Sequence, residues 1–105
     1  MIVELRQYTL LPGMTEAFLD LYRSEGLATQ KLHLGPPIGY FTSEVGPLNR
    51  VVHLWGFESH ADRERKRRAM DGDPAWQAYR RKLFESGFLQ DQTTMLLRST
   101  EFSPL

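Results

Sequence analysis

Polar and apolar residues alternate from Ile2 to Leu10, the period of a half-buried strand. Val3 and Leu5 share one face, and Glu4, Arg6 and Tyr8 share the other. Pro12-Gly13 stops the strand. From Met14 the period changes: Met14, Phe18, Leu21 and Tyr22 fall at helical spacing and form one apolar stripe. Gly26 breaks or bends this helix, and Leu27 to Leu34 forms a second stretch that Gly35-Pro36-Pro37 ends. Alternation resumes from Ile38 to Val45, and again from Val51 to Phe57. In that last run Val52 and Leu54 point one way while Val51, His53, Trp55 and Phe57 point the other.

Between these two strands lies Gly46-Pro47-Leu48-Asn49. A two-residue turn centred on Pro47-Leu48 would need a positive φ at proline, which its ring forbids. A four-residue loop with Pro47 at the second position of a type I turn fits better. It sets Glu44 opposite Val51, Thr42 opposite His53 and Tyr40 opposite Trp55. One face then carries Ile38, Tyr40, Thr42, Glu44, Val51, His53, Trp55 and Phe57. Phe41, Val45, Val52 and Leu54 occupy the other.

Ser59 and Asp62 mark a capped helix start, and His60 to Met70 is densely charged, with Asp62–Lys66 and Glu64–Arg68 at pairing distance along the helix. Asp73 as N-cap and Pro74 at the first helical position open another helix, with Trp76, Tyr79, Leu83 and Phe84 as its stripe and Gly87 just past its end. Phe88 to Arg98 holds the last strand, and a short tail closes the chain.

The resulting order is strand, helix, strand, strand, helix, strand. It predicts an α+β, ferredoxin-like domain over residues 1–105, an antiparallel four-stranded sheet with helices on one face. The aliphatic face is expected to lie under the helices, leaving Tyr8, Tyr40, Trp55 and Phe57 on the helix-free side. Four such aromatics carry roughly 600–1,000 Å², more than the ~300–600 Å² apolar patch a monomer tolerates. The sheet is therefore expected to pack on a second copy of itself, two protomers enclosing a barrel-like space.

Composition narrows the function classes. Thirteen basic and thirteen acidic side chains cancel in 105 residues, so no long-range charge recruits nucleic acid or an anionic membrane. The absence of cysteine removes disulfide, thiol and iron–sulfur chemistry. No apolar run reaches the ~18 residues of a membrane span. With the first strand starting at Ile2 there is no room for a leader, and a cytoplasmic location is the expectation. The run Arg63, Arg65, Lys66, Arg67, Arg68 reads as a solvated helix face. His33, His60 and His53 match no metal motif. No catalytic triad, phosphate-binding loop or dinucleotide fingerprint is present.

Glu4, Arg6, Thr42, Glu44 and His53 stand among the aromatics of one face and need partners there. Two readings are open. In one, they form a closed network of ion pairs and hydrogen bonds. In the other, Glu4, Arg6, Tyr8, Tyr40, Thr42, Glu44, His53, Trp55 and Phe57 line a pocket in the barrel: Arg6 holds an anion, His53 is the candidate proton-transfer residue, and Tyr40, Trp55 and Phe57 enclose the ligand. A pocket above about 300 Å³ beside both Arg6 and His53 favours an enzyme; a sealed network favours a binding or scaffold protein. Trp76 is expected to be a core anchor.

The stretches Val3-Glu4-Leu5-Arg6-Gln7-Tyr8-Thr9-Leu10-Leu11-Pro12-Gly13, Thr42-Ser43-Glu44-Val45-Gly46-Pro47-Leu48-Asn49-Arg50-Val51-Val52-His53-Leu54-Trp55 and Asp73-Pro74-Ala75-Trp76-Gln77-Ala78-Tyr79, with the tail Phe102-Ser103-Pro104, resemble the NIPSNAP family over nearly the whole chain. The resemblance implies a dimeric α/β barrel of ferredoxin-like protomers. It transfers no catalytic residues and no cofactor. The wider superfamily includes cofactor-free monooxygenases and haem-degrading enzymes, which keeps open the alternative of an enzyme on a small aromatic or apolar substrate, monooxygenase-like or isomerase. The favoured reading is a homodimer that binds a small organic anion or apolar ligand.

Overall fold

A computed structural model covers residues 1–105. Its strands are β1 (Ile2–Leu10), β2 (Gly39–Thr42), β3 (Arg50–Phe57) and β4 (Leu89–Arg98). The helices are α1 (Thr15–Leu21), α2 (Leu27–Leu34), α3 (His60–Asp71) and α4 (Pro74–Ser86). The strands form one sheet in the order β2-β3-β1-β4, every neighbouring pair antiparallel. This is the ferredoxin-like α+β arrangement, with helices on one face.

The helix expected to bend at Gly26 does so through a π turn, Tyr22–Gly26, which joins α1 to α2. An extra residue in the helical ladder turns the next helix to a new direction. Gly26 is buried at that junction, where a Cβ would come within 3.0 Å of the Tyr22 and Tyr79 rings. The start of α3 is a reciprocal cap: Ser59 Oγ accepts from the Asp62 N–H at 3.0 Å, and Asp62 Oδ2 accepts from the Glu58 N–H at 3.1 Å. At α4, Asp73 Oδ1 accepts from the Ala75 N–H at 2.9 Å, Pro74 takes the first helical position, and Gly87 closes the end in the left-handed region. Lys66 pairs with Asp62 at 3.3 Å. The Glu64–Arg68 pair does not form.

Two expectations are corrected. First, pairing of β2 with β3 places Tyr40 opposite His53 and Thr42 opposite Val51, two residues away from the expected register. β2 ends at Thr42, and a wider loop replaces the four-residue turn, with Gly46 at φ 102 and Asn49 at φ 59. Two left-handed residues let the chain swing out before it re-enters the sheet. The even shift leaves each strand's faces intact, but it removes Glu44 from the sheet altogether; Glu44 is an exposed loop residue and Thr42 is exposed at the strand end.

Second, the helices cover the opposite face from the one expected. Trp55 and Val51 are fully buried and Phe57 nearly so. Tyr8 meets Phe18 of α1 edge-on, Tyr40 stacks on Tyr22, and Lys66 of α3 lies over Phe57. The aromatic face is thus the floor of the chain's own core, packed against a helix layer that itself carries Phe18 and Tyr22. The helix-free face is the aliphatic one: Val3, Leu5, Phe41, Val52, Leu54, Met95 and Leu97.

Candidate functional site

The centre of the helix side is a carboxylate. Glu4 sits mid-strand on β1 with no exposure, and three guanidiniums close on it: Arg6 Nη1 at 3.0 Å, Arg67 Nη1 at 3.1 Å, and Arg63 Nε. Burial alone would raise the Glu4 pKa; the Arg67 charge and the hydrogen bonds from Arg63 and Arg6 outweigh it and hold the group below its ordinary value. Arg63 and Arg67 are one turn apart on α3, so they share a face, and that face looks at the sheet. This part of the basic run is therefore an internal clamp. The alternation on β1 placed Glu4 on a greasy face, and the i,i+4 arginines were the complementary signal.

Beside this clamp lies a cavity of about 190 Å³. Its floor is Arg6, Tyr8 and Gln92 of the sheet; its walls are Gln30, Arg67, Asp71, Trp76, Tyr79 and Leu83; exposed Arg80 and Phe84 stand at its rim. Gln30 is held by the Tyr22 hydroxyl, which donates to its Oε1 at 2.6 Å. Arg80 reaches Asp71 at 3.9 Å and lies over the Phe84 ring. Trp76 is buried with its Nε1–H unpaired. Burial of Arg67 pulls its pKa down, Glu4 opposes that, and the neighbouring charges of Arg6 and Arg63 add to it. Positive charge is in excess here.

Of the residues expected to line a pocket, only Arg6 and Tyr8 do. Glu4 lies behind Arg6 and Arg67, anchoring them. His53, Trp55 and Phe57 belong to the core and do not reach the cavity. His53 Nδ1 accepts from Trp55 Nε1–H at 2.6 Å, which leaves the proton of the neutral ring on Nε2, an atom with no partner. The imidazole stacks on Tyr40 with centroids 4.6 Å apart. Burial, reinforced by the Arg6 charge, lowers its pKa to about 3. At neutral pH this histidine is uncharged and walled off from the cavity. Tyr40 is half-buried outside the cavity, its hydroxyl unpaired and its pKa raised by burial. The space expected beside both Arg6 and His53 at more than about 300 Å³ is instead a smaller cavity beside Arg6 alone. It lies under the helices, within one protomer, not between two sheets.

His33 also has a role the sequence left vague: its Nε2 meets Asp73 Oδ2 at 2.8 Å, tying the end of α2 to the cap of α4. No three acidic or histidine side chains are placed to hold a metal ion, and no helix is long and apolar enough to cross a membrane.

Known proteins agree with this architecture. A protein from Agrobacterium tumefaciens superposes with TM-score 0.92 at 37% identity, covering 100% of this chain and 99% of that one. An uncharacterised NIPSNAP domain protein from Burkholderia xenovorans gives 0.92 at 31% identity, covering 99% of each chain. A putative antibiotic biosynthesis monooxygenase from Nitrosomonas europaea gives 0.67 at 14% identity, covering 94% of this chain and 98% of that one, a likeness of fold alone. The Dictyostelium discoideum NipSnap homolog is 40% identical over 70% of the chain, and the human NipSnap homolog 3A 34% identical over 99%. The chain spans only 32% and 41% of those two relatives. The NIPSNAP family model itself matches residues 3–104, and the chain belongs to the NIPSNAP family.

Proposed function

We propose that this chain is a homodimeric binding protein that takes a small organic anion into the cavity under its helices. The observation that carries the reading is the charge of the clamp: three arginines surround one buried carboxylate, and two of them, Arg6 and Arg67, also line the cavity. Guanidiniums with donors to spare, held on a rigid sheet and helix, are a receptor for a carboxylate or phosphate. Isothermal titration with a panel of small organic acids tests it. Binding that disappears in Arg67→Met while the fold survives is the expected result; silence across the panel overturns the reading.

The dimer rests on the other face. Phe41 and Met95 are 55% and 57% exposed, and β4 is open on both sides, with Leu96 at 41% and Leu97 at 37%. An edge strand whose apolar run Met95-Leu96-Leu97 is left bare is a hazard that a second copy would cover. Sedimentation equilibrium giving a monomer at micromolar concentration would count against it.

A further inference from the structure

We propose that the cavity selects a single-ring aromatic carboxylate over aliphatic acids and over inorganic phosphate, an inference that rests on the anion-binding reading above. Charge sets the anionic end. Against Glu4, the guanidiniums of Arg6, Arg63 and Arg67 leave two positive charges without counter-ions, while Arg80 and Asp71 offset each other. Arg6 commits Nη1 to Glu4 and turns Nε toward the Tyr8 hydroxyl at 3.4 Å; Arg67 commits Nη1. Nη2 of both makes no hydrogen bond within the chain, so each presents a free donor to a carboxylate.

The walls set the rest of the ligand. Tyr8, Trp76, Tyr79 and Phe84 present rings, and Leu83 fills between them. Rings recognise a ring by edge and face contacts that an alicyclic group of the same area does not make, a preference of roughly threefold to tenfold. Size agrees: a cavity of ~150 Å³ holds benzene, and this one, at about 190 Å³, adds room for a carboxylate. A phosphate dianion would leave the rings unpartnered and meet Asp71 in the wall. The Trp76 indole N–H is the donor in this wall that the protein leaves unpaired, and buried donors are seldom left so. The Trp76 side chain lines the cavity, so its N–H resonance senses a ligand seated there.

The chain has two tryptophans, and the Trp55 N–H is already bonded to His53. Two indole N–H resonances thus report separately in a ¹⁵N-labelled sample. Titration with benzoate, cyclohexanecarboxylate, benzyl alcohol and inorganic phosphate is the test, with affinities from calorimetry on the same samples. The expected result is that benzoate binds about threefold to tenfold tighter than cyclohexanecarboxylate, tighter still than phosphate or the uncharged alcohol, and moves the Trp76 signal while the Trp55 signal stays. If cyclohexanecarboxylate or phosphate binds as well as benzoate, or the Trp76 signal is unmoved by a bound acid, the aromatic-carboxylate inference fails and the anion reading stands. If none of the anions binds, both fall.

Discussion

The two faces of the sheet are built from the same four strands and solve different problems. On the helix side, β3 contributes Val51, His53, Trp55 and Phe57, all buried; the Trp55 N–H is met by His53 Nδ1, while His53 Nε2 is left without a partner. One residue over, Val52 and Leu54 of the same strand are only half-buried, and Gln7 and Thr93 are the polar residues beside them on that face. The first face spends its aromatic volume on one chain's core and holds a charged cluster at its centre. The second is largely apolar and only partly covered. A single protomer's stability belongs to the first, and any stability that depends on concentration belongs to the second.

The sharpest break in that contrast is between adjacent residues. Trp55→Ala should cost about 3–5 kcal/mol in urea unfolding regardless of protein concentration. Leu54→Ala should cost less, and its effect should depend on concentration if a second copy covers that face. Equal, concentration-independent losses would erase the distinction. Next in size is the clamp: Glu4→Ala leaves three arginines facing one another and should cost about 3 kcal/mol, whereas a loss below about 0.5 kcal/mol would mean the cluster is slack.

Acid should act on the helix side alone. The Glu4 carboxyl is held below its ordinary 4.5 and His53 is lowered from 6.5 to about 3. Both groups bind fewer protons folded than unfolded, so stability is full above the unfolded values and is lost as pH falls. His53 works first, from pH 6.5 down toward about 3, and Glu4 joins below 4.5. His53→Asn keeps an acceptor for the Trp55 N–H and cannot titrate; its stability should be flat between pH 6.5 and 4.5 where the parent's declines. A parent curve equally flat there would refute the burial of a neutral imidazole. On the free face, Phe41→Asp with Met95→Asp should abolish the proposed dimer in sedimentation while leaving the circular dichroism of the chain unchanged. Smallest, and outside both faces, Ser59→Ala should cost about 1 kcal/mol through the lost cap.

Local chemistry was legible in the chain. The bounds of β1, the Ser59/Asp62 cap and the Asp73-Pro74 start with its Gly87 stop all come from residue types that act within a turn of themselves. Alternation also divided the sheet residues into the right two sets. It did not label the sets, because a period of two is symmetric about the sheet plane; only the partner layer distinguishes the sides. The clearest clue was electrostatic. Glu4 on a buried strand needs cations, and Arg63 and Arg67 on one helix face could provide them only if α3 lay over that side. Taking the basic run as solvated lost that link, and with it the cavity. The loop from Ser43 to Asn49 misled for a different reason: Gly46 and Asn49 permit more than one turn, and nothing local chooses between them.

Gly26 has a reach well beyond the π turn that contains it. A methyl group there would press on the Tyr79 ring, and that ring forms part of the cavity wall. The shape of the cavity thus depends in part on a residue that does not line it, and Gly26→Ala would press on that wall from outside.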